Sequence, residues 1–145
     1  HPFSEDSGRS MVLGGVVFEG PGLEGHSDAD AVSHACIDAL LGAAGLGNIG
    51  ERYPDTDEKF LGADSLALLA DTAKAVNEAS WKIANVDCTV VLENPKLSPH
   101  REEMENLLSE AVGAPVTVKG RRPEGLGALG REEGIVCFAI ALVSR

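Results

Sequence analysis

The segment from Gly25 to Gly50, GHSDADAVSHACIDALLGAAGLGNIG, holds the residues whose types and spacing most directly suggest chemistry. His34 and Asp38 stand four apart, so on a helix they share one face. An imidazole and a carboxylate set among Ala, Val, Cys, Ile and Leu must be paired or bound, because unpaired polar groups in an apolar interior are costly. Two readings stay open from this helix alone. In the first, His34 binds a metal through one ring nitrogen, and Asp38 is a candidate to take the N–H of the other. In the second, the two form a self-satisfied hydrogen bond in a core helix. Just upstream, His26, Ser27, Asp28 and Asp30 make a polar run whose Ser and Asp side chains can cap the helix.

A second group of candidates is cationic. Lys96 follows Pro95 after the best strand pattern in the chain, and Lys119, Arg121 and Arg122 put three cations within four residues, ahead of Pro123 and Glu124. In an acidic protein such a cluster is a candidate oxyanion site. Taken alone, it reads more simply as a basic surface turn. Gly125 to Gly130 fits G-x-G-x-x-G, but a dinucleotide site needs a helix directly after it within a βαβ unit. Here a β-type run follows, so the segment reads as a flexible loop that approaches a ligand or a neighbouring chain.

The elements that must position these residues are legible from periodicity. Met11 to Phe18 is predicted as a strand, with Gly14-Gly15 marking a bulge or a close backbone approach. The central helix runs from Ala31 to about Leu46, apolar all round and therefore interior. Tyr53-Pro54-Asp55-Thr56-Asp57 is a turn by composition. A second helix, roughly Asp64 to Ala79, has Leu66, Leu69, Ala70, Ala73 and Val76 on one face. Trp81 to Glu93 alternates as a strand, and Ser98-Pro99 supplies a cap and a first-turn proline for a third helix to Val112. Val116 to Lys119 and Gly134 to Ser144 are the last strands. The fold class is α/β: a single domain with a mixed β-sheet and its helices packed on one face. The run Ile135 to Val143 is apolar on both strand faces and needs cover on both sides, which neighbouring subunits would complete.

A chain of 145 residues suffices for one well-buried core. The net charge of -11 argues against nucleic acid or an anionic membrane as partner, but not against a small phosphorylated substrate. No apolar run has the length of a membrane span, and no signal peptide is expected. Cys36, Cys88 and Cys137 lack metal-type spacing and read as core residues of a reduced, cytosolic protein.

Together the motifs resemble the 2-C-methyl-D-erythritol 2,4-cyclodiphosphate synthase family, over nearly the whole chain. They are GHSDAD, the following His34 and DALLGAAGLG; YPDTD and GADS; NVD and NPK; and E-x-L-G-x-x-G-R-x-E-G-I at the end. The resemblance implies a homotrimer with active sites between adjacent subunits and a divalent metal, usually zinc, held by an Asp-x-His motif and by a helix histidine. The two histidines map to His1 and His34. His26 corresponds to the residue that binds the erythritol portion, and Asp38 to the carboxylate one turn beyond the metal histidine. Asn94, Pro95, Lys96 and Leu97 correspond to the cytidine pocket. Glu124 matches the glutamate of a second cation, magnesium or manganese, at the diphosphate. Arg131 matches a residue of the cavity on the threefold axis, and Asn48, Gly50, Asp55 and Asp57 are expected to meet substrate. The implied reaction is a cyclising phosphoryl transfer, with catalytic roles for His26, Asp38 and Glu124, in the cytoplasm or, in a plant or alga, the plastid.

Three departures from the pattern stand out. The metal-binding aspartate expected two residues before His1 is not in the sequence, which suggests truncation rather than loss. Asn48 stands where the family has Asp, and Arg121-Arg122-Pro123 where it has threonines. Those exchanges favour the alternative of a non-catalytic trimeric relative that binds a cytidine nucleotide or isoprenoid diphosphate. His26, His34, Asp38, Lys96 and Glu124 favour the enzyme.

Overall fold

Helices cover one side of a three-stranded mixed sheet in the computed structural model, which describes residues 1–145. Strands β1 (Met11–Leu13) and β2 (Val16–Phe18) form a separate antiparallel hairpin. The expected single strand is thus split, because Gly14 and Gly15 have φ of 57° and 78° and make a two-residue turn. Positive φ at both central positions is what a tight hairpin demands, and glycine adopts it without a steric penalty.

Helix α1 (Ala31–Ala44) follows, then α2 (Ile49–Arg52), α3 (Ser65–Glu78), β3 (Lys82–Val91), α4 (Arg101–Val112), β4 (Val116–Arg121), α5 (Gly127–Gly130) and β5 (Val136–Ser144). The strand order is β4-β3-β5, with β3 parallel to β4 and antiparallel to β5. A parallel pair needs a crossover, and α4 provides it. Val86, Cys88 and Val90 of β3 and Val116 and Val118 of β4 point into the core, where Cys36, Ile37, Leu40, Leu69, Met104 and Leu108 meet them. Alternate residues of β5 divide sharply. Cys137, Ala139, Ala141 and Val143 pack against the core, whereas Phe138, Ile140 and Leu142 remain 64%, 76% and 61% exposed.

Asp30 ties the hairpin to α1. Its carboxylate is fully buried, caps the helix through Val32 N–H and Ser33 N–H, and accepts from Gly14 N–H and Gly15 N–H at 2.8 Å each. Burial pushes its carboxyl up, and these donors pull it back.

Several local expectations need correcting. Helix α1 is not interior all round: Asp38, Gly42 and Ala43 are exposed, because α1 covers the sheet as an outer layer. Ala70 is exposed too. Ser98 caps nothing, and the 3-10 turn Ser98–His100 precedes α4 instead. Strand β4 runs on to Arg121, two residues past its expected end at Lys119. The glycine-rich segment closes as a turn around the short helix α5. A Cβ on Gly130 would overlap the backbone of Gly125, so only glycine permits that closure.

Candidate functional site

The N-terminus of α1, the loop before it and the N-terminus of α3 converge on a cavity of about 310 Å³ lined by His1, His26, His34, Gly50, Tyr53 and Asp55, among others. Arg9 sets the loop by donating from its guanidinium to the carbonyls of Leu23, Gly25 and Ser27. His26 donates from Nε2 to the carbonyl of Asp57 at 2.9 Å, so its ring is aimed by backbone. The Asp57 side chain caps the turn Glu58–Phe60 and faces Lys59, and it does not line this cavity.

His1 and His34 face each other across one edge of the cavity, with Nε2 of His1 3.1 Å from Nδ1 of His34. His1 Nδ1 sits 2.6 Å from the Glu24 carbonyl, which can only accept, so that nitrogen carries the proton and Nε2 keeps its lone pair. Two nitrogens bound to one tetrahedral metal at about 2.0–2.1 Å would stand roughly 3.3 Å apart. The pair therefore fits as two ligands of such an ion. No group of three or more His, Cys, Asp or Glu side chains gathers anywhere in the chain to complete a site. Burial holds the His34 imidazole below its usual range, despite the opposing field of Asp28, which favours the neutral ligand form.

Asp38 is not the partner of His34. Its Oδ1 accepts from Ile49 N–H at 2.8 Å, so it anchors α2 to α1. Neither the self-satisfied His–Asp pair nor the metal relay through Asp38 is formed. Helical spacing puts both on one face, but the His34 ring turns toward His1, Ser27 and Ser65. Asn48 is likewise occupied: its side chain caps α2 in a reciprocal arrangement with Glu51.

A second cavity, of about 360 Å³, opens at the β4 side of the sheet and shares no lining residue with the first. Lys96, Arg101, Lys119, Arg121 and Arg122 all line it, together with Pro95 and Leu97. Lys119 is held by both oxygens of Asp87 at 2.6 Å, and Arg122 lies 3.9 Å from Glu93. The Lys119 ammonium holds the Asp87 carboxyl below its usual range. The basic surface turn favoured by the local sequence is thus part of a concave cationic site. Glu93, which no sequence motif singles out, also accepts from Gly125 N–H at 2.6 Å and so fastens the turn after Glu124. Glu124 itself, at φ 55°, lines neither cavity. Asn94 binds Glu132 and borders a third cavity with Pro95, and Arg131 pairs with Glu133 at 2.7 Å.

Known proteins are similar to this chain in both overall sequence and fold. The family model described as YgbB family matches residues 1–144. The chain is 51% identical over 141 residues to the "Bifunctional enzyme IspD/IspF" of Anaeromyxobacter dehalogenans, covering 95% of this chain but only 36% of that protein. It is 51% identical over 142 residues to the 2-C-methyl-D-erythritol 2,4-cyclodiphosphate synthase of Cupriavidus metallidurans, covering 95% of this chain and 84% of that one. A solved structure of a 2C-methyl-D-erythritol-2,4-cyclodiphosphate synthase in a form bound to CDP superposes with a TM-score of 0.87 at 34% identity, over 99% of this chain and 95% of that one.

Proposed function

We propose, given that this chain belongs to the YgbB family, that it converts 4-diphosphocytidyl-2-C-methyl-D-erythritol 2-phosphate to 2-C-methyl-D-erythritol 2,4-cyclodiphosphate and CMP. The 2-phosphate attacks the β-phosphorus, and CMP departs with the electron pair of the bond it leaves. No protein nucleophile is needed, so the chain's task is to fold the substrate on itself and to offset its charge.

The observation that carries this reading is the presence of two unlike cavities. The cavity at His26, Asp55 and Gly50 suits the erythritol phosphate, with His26 Nδ1 left to accept from a sugar hydroxyl. The cationic cavity at Pro95, Lys96 and Leu97 suits cytidine and diphosphate, as the CDP-bound relative supports. Since the two share no wall within one chain, we read the complete site as one chain's His26 cavity joined to a neighbour's Lys96 cavity in a homotrimer. A divalent metal, zinc by preference, would be held by His1 and His34, and bound there it would supply Lewis-acid stabilisation of phosphate charge. Magnesium or manganese would belong at Glu124. No helix is long and apolar enough to cross a membrane. The compartment we assign is the cytoplasm.

Purified protein incubated with the diphosphocytidyl substrate should release CMP and give the cyclic diphosphate by phosphorus NMR. His34→Ala should lower kcat/KM by at least about 100-fold and reduce metal content. Absence of CMP release from the unaltered protein, supplied with zinc and magnesium, would leave the non-catalytic binding role instead.

A further inference from the structure

Behind His34 stand two residues that no motif connects with the metal site. His34 Nε2 lies 2.8 Å from the hydroxyl of Ser65, the first residue of α3. That hydroxyl donates to Asp28 Oδ1, and the backbone N–H of Ser65 donates to Asp28 Oδ2 at 3.1 Å. A carboxylate only accepts, and a hydroxyl has one proton. Because the Ser65 proton is committed to Asp28, the oxygen facing His34 offers a lone pair and calls for a proton on Nε2; His34 Nδ1 and His1 Nε2 then face each other as two lone pairs 3.1 Å apart, an arrangement that a cation between them would satisfy. Ser27 Oγ, 3.1 Å from the same nitrogen, already accepts from Ala29 N–H and can accept from Nε2–H as well. The opposite tautomer would set the bare Nε2 against the Ser65 lone pair in a site where Ser65 is fully buried.

We infer that Asp28 and Ser65, acting in series, lock His34 in its Nε2–H tautomer and so present the Nδ1 lone pair toward His1. They are positioning residues. The carboxylate behind the metal histidine is Asp28 of the incoming loop, reached through a serine, and not Asp38 one turn along the helix. The inference rests on reading His1 and His34 as metal ligands, but its first consequence concerns the metal-free protein.

Ser65→Ala removes the acceptor while suiting the first turn of a helix, and Ser65→Thr keeps the hydroxyl. In metal-free protein, ring nitrogen–proton NMR should find His34 as the Nε2–H tautomer in the wild type and in Ser65→Thr, and a mixture of tautomers in Ser65→Ala. Chelator competition should then find zinc held about 10–100-fold more weakly by Ser65→Ala than by the wild type, with Ser65→Thr restoring most of the loss. A Ser65→Ala protein that keeps the wild-type tautomer overturns the inference, as does one with unchanged zinc affinity. A wild type that shows the Nε2–H tautomer yet binds no zinc would overturn the metal reading while leaving the tautomer lock standing.

Discussion

Arg121 and Arg122 are the residues at which this chain departs most from its family resemblance, and both line the cavity that contains Lys96. A guanidinium can give a phosphate charge-assisted and bidentate bonds where a hydroxyl gives one neutral bond. Pro123 removes one backbone donor but restricts the loop and lowers the cost of ordering it. Arg121→Thr and Arg122→Thr should each weaken CDP binding, by roughly 1.5–3 kcal/mol for every charge-assisted hydrogen bond removed. Calorimetric titration with and without magnesium checks this, and the wild type should show little magnesium dependence. Unchanged affinity in both variants would make the arginines surface residues. Residue identity is what sequence could deliver at this scale. The cation cluster and the His34 position are visible as letters, but their partners are not. Asp38 and Asn48, read as site residues, also anchor α2, because a carboxylate or amide beside a helix N-terminus satisfies free N–H groups.

At the scale of elements, the site depends on bonds that fasten one piece to the next. Asp30 joins the Gly14-Gly15 turn to α1, and its removal leaves buried N–H groups unpaired. Asp30→Ala should therefore cost about 3–5 kcal/mol in urea unfolding, since it removes a cap and orphans further donors at once. A cost below about 1 kcal/mol would mean that water replaces it. Asp71 links α3 to the end of α2 through the Tyr53 hydroxyl at 2.7 Å and the Arg52 guanidinium at 2.8 Å, and these hold its carboxyl below its usual range. A carboxyl lowered in the folded state gives stability that is present above its unfolded value of about 3.9 and is lost as pH falls through the folded value. The thermal stability of Asp71→Asn should thus fall below that of the wild type at neutral pH, and the two curves should converge as pH falls through the lowered folded value. Parallel curves across that range would deny the link. Periodicity found α1, α3, α4, β3 and β5 within a few residues, since each carries a long apolar pattern. It read one strand where there are two, since only positive φ separates a hairpin from a bulge, but the close backbone approach read at Gly14-Gly15 is present: a Cβ on Gly15 would overlap the Leu66 side chain.

At the scale of the whole molecule, β5 carries the strongest signal. Its apolar residues occupy both faces; the helices cover Cys137, Ala139, Ala141 and Val143, and nothing in one chain covers Phe138, Ile140 and Leu142. Sequence could state the need for cover, but a single chain's pattern cannot say what supplies it. We propose that equivalent strands meet there around a threefold axis, with Phe138 making its cavity narrow and dry. Sedimentation at micromolar concentration should give a trimer, and Ile140→Lys should shift it toward monomer by burying a charge. A monomeric wild type would defeat the proposal.

The most direct measurement asks whether the two cavities act together across chains. His34→Ala disables the first cavity and Lys96→Ala the second. Each variant alone should be nearly inactive. Unfolded together in equal amounts and refolded, they form mixed trimers in which one site of three joins an intact His26 cavity to an intact Lys96 cavity. Random assembly then restores CMP release to about a quarter of the wild-type rate. Recovery near that level is the expected result. No recovery, from mixed trimers verified by mass, would contradict a site shared between chains.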